Sequence, residues 1–295
     1  MMNWMRFRPL YLLISGAVIA VSLYAISTWW FKPSIDFTGG TVVEYEFPGP
    51  VELENVKTAI LQKQNDFEIK DAASLGEKNV QFRFGPDFTE EHARTIELSL
   101  GESLDEKPEL VRFETVGPTL SSEILKKTYV AIAIASIGIL LWIAWQFKSL
   151  KFGVSAILAM LHDTIILLGT FALLGHFVAV EVDILFVTAM LTILSFSVHD
   201  TIVVYDRIRE TSKRSSGLPM IDIANRAVTE TMVRSLNNSL TIIFMLVALF
   251  LMGGVTIKWF VFALLVGTIT GTYSSPFVAV PLVVTWEELR KKMKR

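Results

Sequence analysis

Two clusters of ionisable residues stand where the chain is otherwise apolar enough to cross a bilayer. Ser195-Phe196-Ser197-Val198-His199-Asp200-Thr201 runs into Tyr205-Asp206-Arg207-Ile208-Arg209-Glu210, and His162-Asp163 interrupts another apolar run. A charged side chain near the centre of a span costs about 2.5–3.5 kcal/mol on insertion scales, so its presence there points to function. The chemistry these residue types offer is proton exchange: carboxylates that gain and lose charge, and imidazoles whose ordinary titration falls near neutral pH. If the span carrying Asp200 begins at Ile184, Asp200 lies about 24 Å along it, within about 6 Å of the far boundary. Arg234 opens the next span from that same boundary. An Asp200–Arg234 pair is therefore geometrically allowed, either as a carboxylate that protonation switches or as a static ion pair clamping two helices. Asp163 falls about ten residues into its own span, near the midplane.

Thr188, Thr192, Ser195 and His199 follow the i, i+4, i+7, i+11 spacing of one helical face. Such a stripe would hold water for a proton path or hydrogen-bond to a neighbouring helix. Asp200 is rotated from it by about 100°, so His199 and Asp200 cannot both be central to one narrow file. A metal site at His162, Asp163, His199 and Asp200 would need paired ligands on one helix, and no span carries an H-x-x-x-H pair.

These clusters must be positioned by membrane helices. The chain has 295 residues, 52% hydrophobic and 19% charged, with a mean hydropathy of +0.49, which excludes an ordinary soluble protein. It has no cysteine, so disulfides, thiolate nucleophiles and cysteine metal sites are excluded. Six runs are long enough to span: Leu10 to Trp30, Tyr129 to Phe147, Gly153 to Gly175, Ile184 to Tyr205, Leu240 to Met252 extended back toward Ser235, and Trp259 to Trp286. The first follows Arg6 and Arg8 and is too long for the apolar core of a signal peptide; it reads as a retained anchor. In the sixth, Gly267 and Gly271 form a GxxxG spacing suited to close helix contact, and Pro276 is expected to kink the helix. Arg6 and Arg8, Lys148 and Lys151, the six basic residues from Arg207 to Arg234, and the tail Arg290 to Arg295 all fall on one side of a six-span chain. Both termini are then cytoplasmic.

Residues 31–127 form an insertion that this topology places on the outer face. Their periods read β (Thr41 to Phe47), α (Val51 to Gln64, with Val51, Val56, Ile60 and Leu61 on one face), β (Phe67 to Ala72), β (Asn79 to Phe84), α (from Thr89) and β (Leu110 to Val116). The order βαββαβ is that of a ferredoxin-like α+β domain. His92 reads as a solvated surface residue. Gly39 and Gly40 lie just after the first span, in Ser34-Ile35-Asp36-Phe37-Thr38-Gly39-Gly40-Thr41. They are read either as a turn needing positive φ or as a hinge that passes motion from the spans. The expected organisation is residues 1–30 (N-terminus and first span), 31–127 (outer domain), 128–286 (spans two to six, with a cytoplasmic loop at 206–234) and 287–295 (basic tail). No catalytic serine constellation, phosphate loop or metal cluster points to an enzyme.

Asp36-Phe37-Thr38-Gly39-Gly40, His162-Asp163, Asp200-Thr201-Ile202-Val203-Val204 with Asp206-Arg207-Ile208-Arg209-Glu210, and Arg234-Ser235-Leu236-Asn237, in this order and spacing, resemble the SecD/SecF family of bacterial protein-export subunits. The resemblance covers essentially the whole chain. It implies half of a resistance-nodulation-division type permease, partnered by a SecD-like six-span subunit. Such a pair works with the SecYEG channel, after SecA, on unfolded secretory proteins at the cytoplasmic membrane, drawing on the proton-motive force. The lipid bilayer is a further partner, whereas nucleic acid and cofactors are not expected. The family's proton-passage Asp and Arg map onto Asp200 and Arg234, with Asp163, His162 and His199 beside them; His199 stands where many members carry Asn. Two rivals are a small-molecule exporter half, which would want a larger outer domain, and a passive scaffold, which would not need Asp163, Asp200 and Arg234 within the membrane.

Overall fold

The structure, a computed structural model, describes residues 2–63, 67–104, 107–147, 149–215 and 217–293. Gln64, Lys148, Lys294 and Arg295, which entered the sequence reading, lie outside these. The chain divides into two compact units: Met1–Trp30, Ala131–Leu173 and Leu185–Arg295 form one, and Phe31–Val130 with Leu174–Ile184 the other.

The second unit is built on strands and two amphipathic helices. Its elements are β1 (Lys32–Pro33), a single turn α2 (Ile35–Thr38), β2 (Gly40–Glu46), α3 (Leu53–Lys63), β3 (Asp71–Ser74), β4 (Asn79–Phe84), α4 (Glu90–Leu104) and β5 (Glu109–Val116). The sheet order β3-β4-β2-β5 is antiparallel throughout, which is the ferredoxin-like arrangement expected from the βαββαβ order. Val43, Tyr45, Phe47, Phe82 and Phe84 project from the sheet into a core shared with Val56, Ile60, Ile96 and Leu100. Phe84 and Phe88 stack at 3.9 Å, and the Tyr45 hydroxyl donates to the Ala93 carbonyl at 2.8 Å. Burial pushes the Tyr45 phenol well above its ordinary range, and the Glu97 charge adds to it.

Three sequence expectations shift here. The third strand starts at Asp71 rather than Phe67, because Phe67 is taken into the core against Phe88 and His92. His92 is half-buried: its Nδ1 accepts the Thr89 backbone N–H at 3.1 Å and so closes the first turn of α4. Leu61 is 44% exposed, so the buried face of α3 is carried by Val56 and Ile60.

The first unit is helical. A 3₁₀ turn (Trp4–Phe7) leads into α1 (Arg8–Trp29); α5 (Pro118–Phe147) and α6 (Leu150–Phe177) follow. After the short β6 (Glu181–Val182) of the second unit come α7 (Ile184–Arg214), α8 (Met220–Met252), α9 (Val255–Ser274), a π turn (Ser275–Ala279) and α10 (Val280–Met293). Among the described residues six helices, counting α9 to α10 as one, are long and apolar enough to cross a membrane. The best-buried windows are those of α6, α7 and α9–α10, at 50%, 44% and 50%, against 11% for α5 and α8; the three therefore form the centre. Their packing rests on Ile143, Phe147, Phe152, Tyr205, Ile208 and Val283, with Tyr205 edge-on to Phe147 and Phe152.

The helices run past the predicted spans. Residues 206–234, expected as a loop, are helical apart from the short connection between α7 and α8. Local pairs explain this: Arg209–Asp206 at 2.9 Å, Arg214–Glu210 at 2.7 Å and Arg226–Glu230 at 3.0 Å sit at i, i+3 or i, i+4. Gly267 lets α9 close on α7, whereas a side chain at Gly271 would meet ordinary contact distances. A Cβ on Gly267 would lie 2.2 Å from Ile193, and one on Gly271 would lie 3.5 Å from the Ser197 Cα. At Pro276, which has no N–H to give to the preceding turn, the expected kink takes the form of the π turn.

Candidate proton-handling site

Burial of a carboxylate demands partners, and the three central helices supply them. Asp163 on α6 is 1% exposed. Its Oδ2 accepts the hydroxyls of Ser197 (α7) at 2.6 Å and Ser274 (α9) at 2.7 Å, and its Oδ1 lies 2.9 Å from His162 Nδ1. Serine hydroxyls donate or accept, so the shell suits either protonation state of the carboxyl group. The His162 Nε2 is buried with no hydrogen-bond partner among the described residues, and the ring lies 6.3 Å from that of Tyr273. Tyr273 in turn donates to the Tyr11 carbonyl at 3.0 Å.

The π turn places consecutive serines on different partners. Ser274 reaches Asp163, while the Ser275 hydroxyl lies 3.0 Å from that of Thr201 and 3.2 Å from the Gly271 carbonyl. The Tyr205 hydroxyl donates to the Ala279 carbonyl at 2.9 Å, satisfying backbone that the irregular turn frees. Asp200, 7% exposed, is one residue before Thr201; its Oδ2 accepts the Ser235 hydroxyl from α8.

Arg234 is not the hydrogen-bond or ion-pair partner of Asp200 among the described residues. It is exposed and lines a cleft with Asp206, Arg207, Glu210 and Glu230. The reason is that α8 begins at Met220, so Arg234 lies within a continuous helix rather than at its start. Neighbours on a helix are about 100° apart, and Ser235 takes the side toward α7. The polar stripe also separates from the carboxylates: Thr188, Thr192, Ser195 and His199 are all exposed, whereas Ser197, Asp200 and Thr201 are buried. The Thr192 hydroxyl is spent on the Thr188 carbonyl at 2.8 Å. Ser195 and His199 border a 270 Å³ groove beside Trp142. The structure thus brings together His162, Asp163, Ser197 and Ser274, and separately Asp200 and Ser235. Ser197, Ser274, Ser275 and Ser235 were not singled out as carboxylate partners from the sequence; the signal available was an unusual serine density in three apolar runs. Among the described residues no group of three His, Asp or Glu converges as a metal site would require.

In the second unit, Gly39 and Gly40 have φ of +70° and +116°. The Ser34 hydroxyl accepts the Asp36 N–H at 3.2 Å, and Gly39 closes α2 by donating to the Ile35 carbonyl at 2.8 Å. Asp36 Oδ2 accepts the N–H of Ile184 at 3.2 Å. The glycine pair thus has the positive φ that a turn at this place requires.

Comparison with known proteins adds a family to this geometry. Residues 97–289 match the family model described as "Protein export membrane protein SecD/SecF, C-terminal", and residues 24–50 match the "SecD/SecF GG Motif". Asp163, Asp200 and Arg234 fall in the first match, Gly39 and Gly40 in the second. The chain is 41% identical to a protein translocase subunit SecF of Thermobaculum terrenum, over 97% of this chain and 94% of that protein. It is 34% identical to that of Anaerolinea thermophila, over 100% and 98%. Among solved structures it resembles SecDF, a translocon-associated membrane protein from Thermus thermophilus, with 33% identity and a TM-score of 0.85. That match covers 97% of this chain and 39% of the longer SecDF chain.

Proposed function

The chain belongs to the SecD/SecF family of protein export membrane proteins, and from that premise we propose that it is an accessory subunit of Sec protein export. Paired with a SecD-like six-span chain in the cytoplasmic membrane, it uses the proton-motive force to help unfolded secretory proteins finish their passage through SecYEG after SecA. Asp200 and Asp163 are the groups that take up and release the proton, and Arg234, His162 and His199 supply nearby charge and hydrogen bonding. The observation that carries this reading is the pair of buried carboxylates on adjacent central helices, each held by serine hydroxyls that can reverse their role. A scaffold has no use for charges that cost several kcal/mol each to bury, and the small sheet domain offers little room for a drug pocket.

The test is Asp200→Asn in the assembled complex with its SecD-like partner, in vesicles carrying a proton gradient. Asn keeps size and hydrogen bonding but cannot titrate. Gradient-stimulated export is expected to fall to the unstimulated rate while complex recovery stays near normal; Asp163→Asn should do the same. Full stimulation in an assembled Asp200→Asn complex would discard the proton reading and favour the scaffold. Because removing one member of a buried polar pair can itself destabilise, by about 3–5 kcal/mol for charges, the comparison is made only on complexes that assemble.

A further inference from the structure

Three places along α7 mark its contact with α8. At one level Asp200 meets Ser235. Three residues further along α7, Val203 stands opposite Thr231. Four residues further along α7, Arg207 pairs with Glu230, the neighbour of Thr231 on α8. The lowest level opens into a cleft of 670 Å³ that carries Asp206, Arg207, Glu210, Glu230 and Arg234. The upper level holds a separate cavity of 10 Å³ bordered by Asp200, Ser235 and Ser275. A cavity of about 10–15 Å³ is the least that holds one water. Val203 and Thr231 border both spaces. They thus stand between a charged, open cleft and a water-sized chamber at the Asp200 carboxylate.

We propose that Val203 and Thr231 form the gate through which Asp200 exchanges its proton with the charged cleft. The proton leaves the Asp200 carboxyl oxygen for a water in the chamber, and passes the wall along water admitted when the two side chains part. A cleft carboxylate or bulk water then accepts it, so that Asp200 is left as the anion facing the Ser235 hydroxyl. The apolar Val203 keeps the route dry when closed. The Thr231 hydroxyl, which donates to the Ala227 carbonyl at 2.9 Å, still has lone pairs to accept from a passing water. This inference rests on the proton reading of Asp200 and adds the route to it.

The native chain has no cysteine, so single thiols report access cleanly. In the assembled complex, Thr231→Cys is expected to react with a small water-soluble thiol reagent added on the cleft side. Ser235→Cys should react about tenfold more slowly. Adding Val203→Ala to Ser235→Cys should remove most of that tenfold difference, whereas Val203→Leu should preserve it. Proton flux through the assembled complex should fall about tenfold or more in Val203→Phe and leave Val203→Leu near wild type. The gate is overturned if Ser235→Cys is already as reactive as Thr231→Cys, if Val203→Ala leaves its rate unchanged, or if an assembled Val203→Phe complex conducts normally. The last case holds with Asp200→Asn still blocking flux, which separates a failed gate from a failed proton reading. Should Asp200→Asn conduct like wild type, both fall. If Val203→Phe does not assemble, the thiol rates decide alone.

Discussion

At the scale of single residues, Gly40 shows how backbone geometry narrows the choice of side chain. With φ at +116°, an added Cβ would lie 2.7 Å from the Phe84 carbonyl oxygen, an atom fixed in the central sheet. Gly39, at φ +70°, would place its Cβ 3.1 Å from the Ser121 hydroxyl, which can turn aside. Gly39 combines its positive φ with ψ of 168°, a region essentially confined to glycine, and holding another residue there costs about 1–3 kcal/mol. Gly39→Ala should therefore lower the stability of the sheet domain by about that amount, and Gly40→Ala by clearly more, since a backbone clash is added. Protease resistance of the domain across a denaturant series would rank them; equal losses would mean the carbonyl contact relaxes. The same positions bear on the hinge alternative raised by the sequence. Assembled Gly39→Ala complexes that keep a folded sheet domain yet lose gradient-stimulated export would favour a moving joint, and normal export would favour a static turn. At the carboxylates, the decisive residues are serines, whose single hydroxyl serves whichever protonation state the acid adopts.

At the scale of elements, the short parallel pair β1–β6 ties residues far apart in sequence. Lys32 and Pro33 align with Glu181 and Val182. The Glu181 carboxylate accepts Arg83 at 2.5 Å and the Gln81 amide at 3.0 Å, while Arg83 also donates to the Pro33 carbonyl at 2.9 Å. Both members of the ion pair are largely buried, so this differs from a surface ion pair, which is worth little. Glu181→Ala should destabilise the sheet domain by about 1–3 kcal/mol, as loss of charge-assisted hydrogen bonds does. Amide exchange should accelerate first at Lys32 to Ser34; unchanged exchange there would show that the strand pair holds without the carboxylate. This clip was not legible in the sequence, because a two-residue strand has no period to detect. The four-stranded sheet was legible, since Val43 to Phe47 and Asn79 to Phe84 alternate residue by residue. The spans were legible in existence and not in extent. Arg207 to Arg214 look like loop by polarity alone, yet their i, i+3 and i, i+4 pairs carry α7 onward. The absence of a direct Asp200–Arg234 contact among the described residues follows from this: a helix begun at Met220 turns Ser235 toward Asp200.

At the scale of the whole molecule, the charge distribution and the site make one joint demand on topology. The cleft that receives the proton carries Arg207, Arg209, Lys213 and Arg234, the same basic residues that the positive-inside rule assigns to the cytoplasm. A gradient-driven proton entering from outside and released at Asp200 must leave on that side, so orientation and mechanism stand or fall together. The residues linking α7 and α8 should then be cytoplasmic, and the sheet domain should be on the opposite face, where an emerging protein chain is met. Glu77 is exposed on a turn of that domain and Ser212 on the last turn of α7. In intact cells, a membrane-impermeant thiol reagent should modify Glu77→Cys and spare Ser212→Cys until the membrane is permeabilised; the absence of native cysteine leaves no background. The reverse pattern would place the cleft outside. Asp200 would then face the side from which protons arrive, and the exchange route past Val203 and Thr231 would become an entrance, so the direction of coupling would have to be rebuilt even though every contact in the site stayed the same.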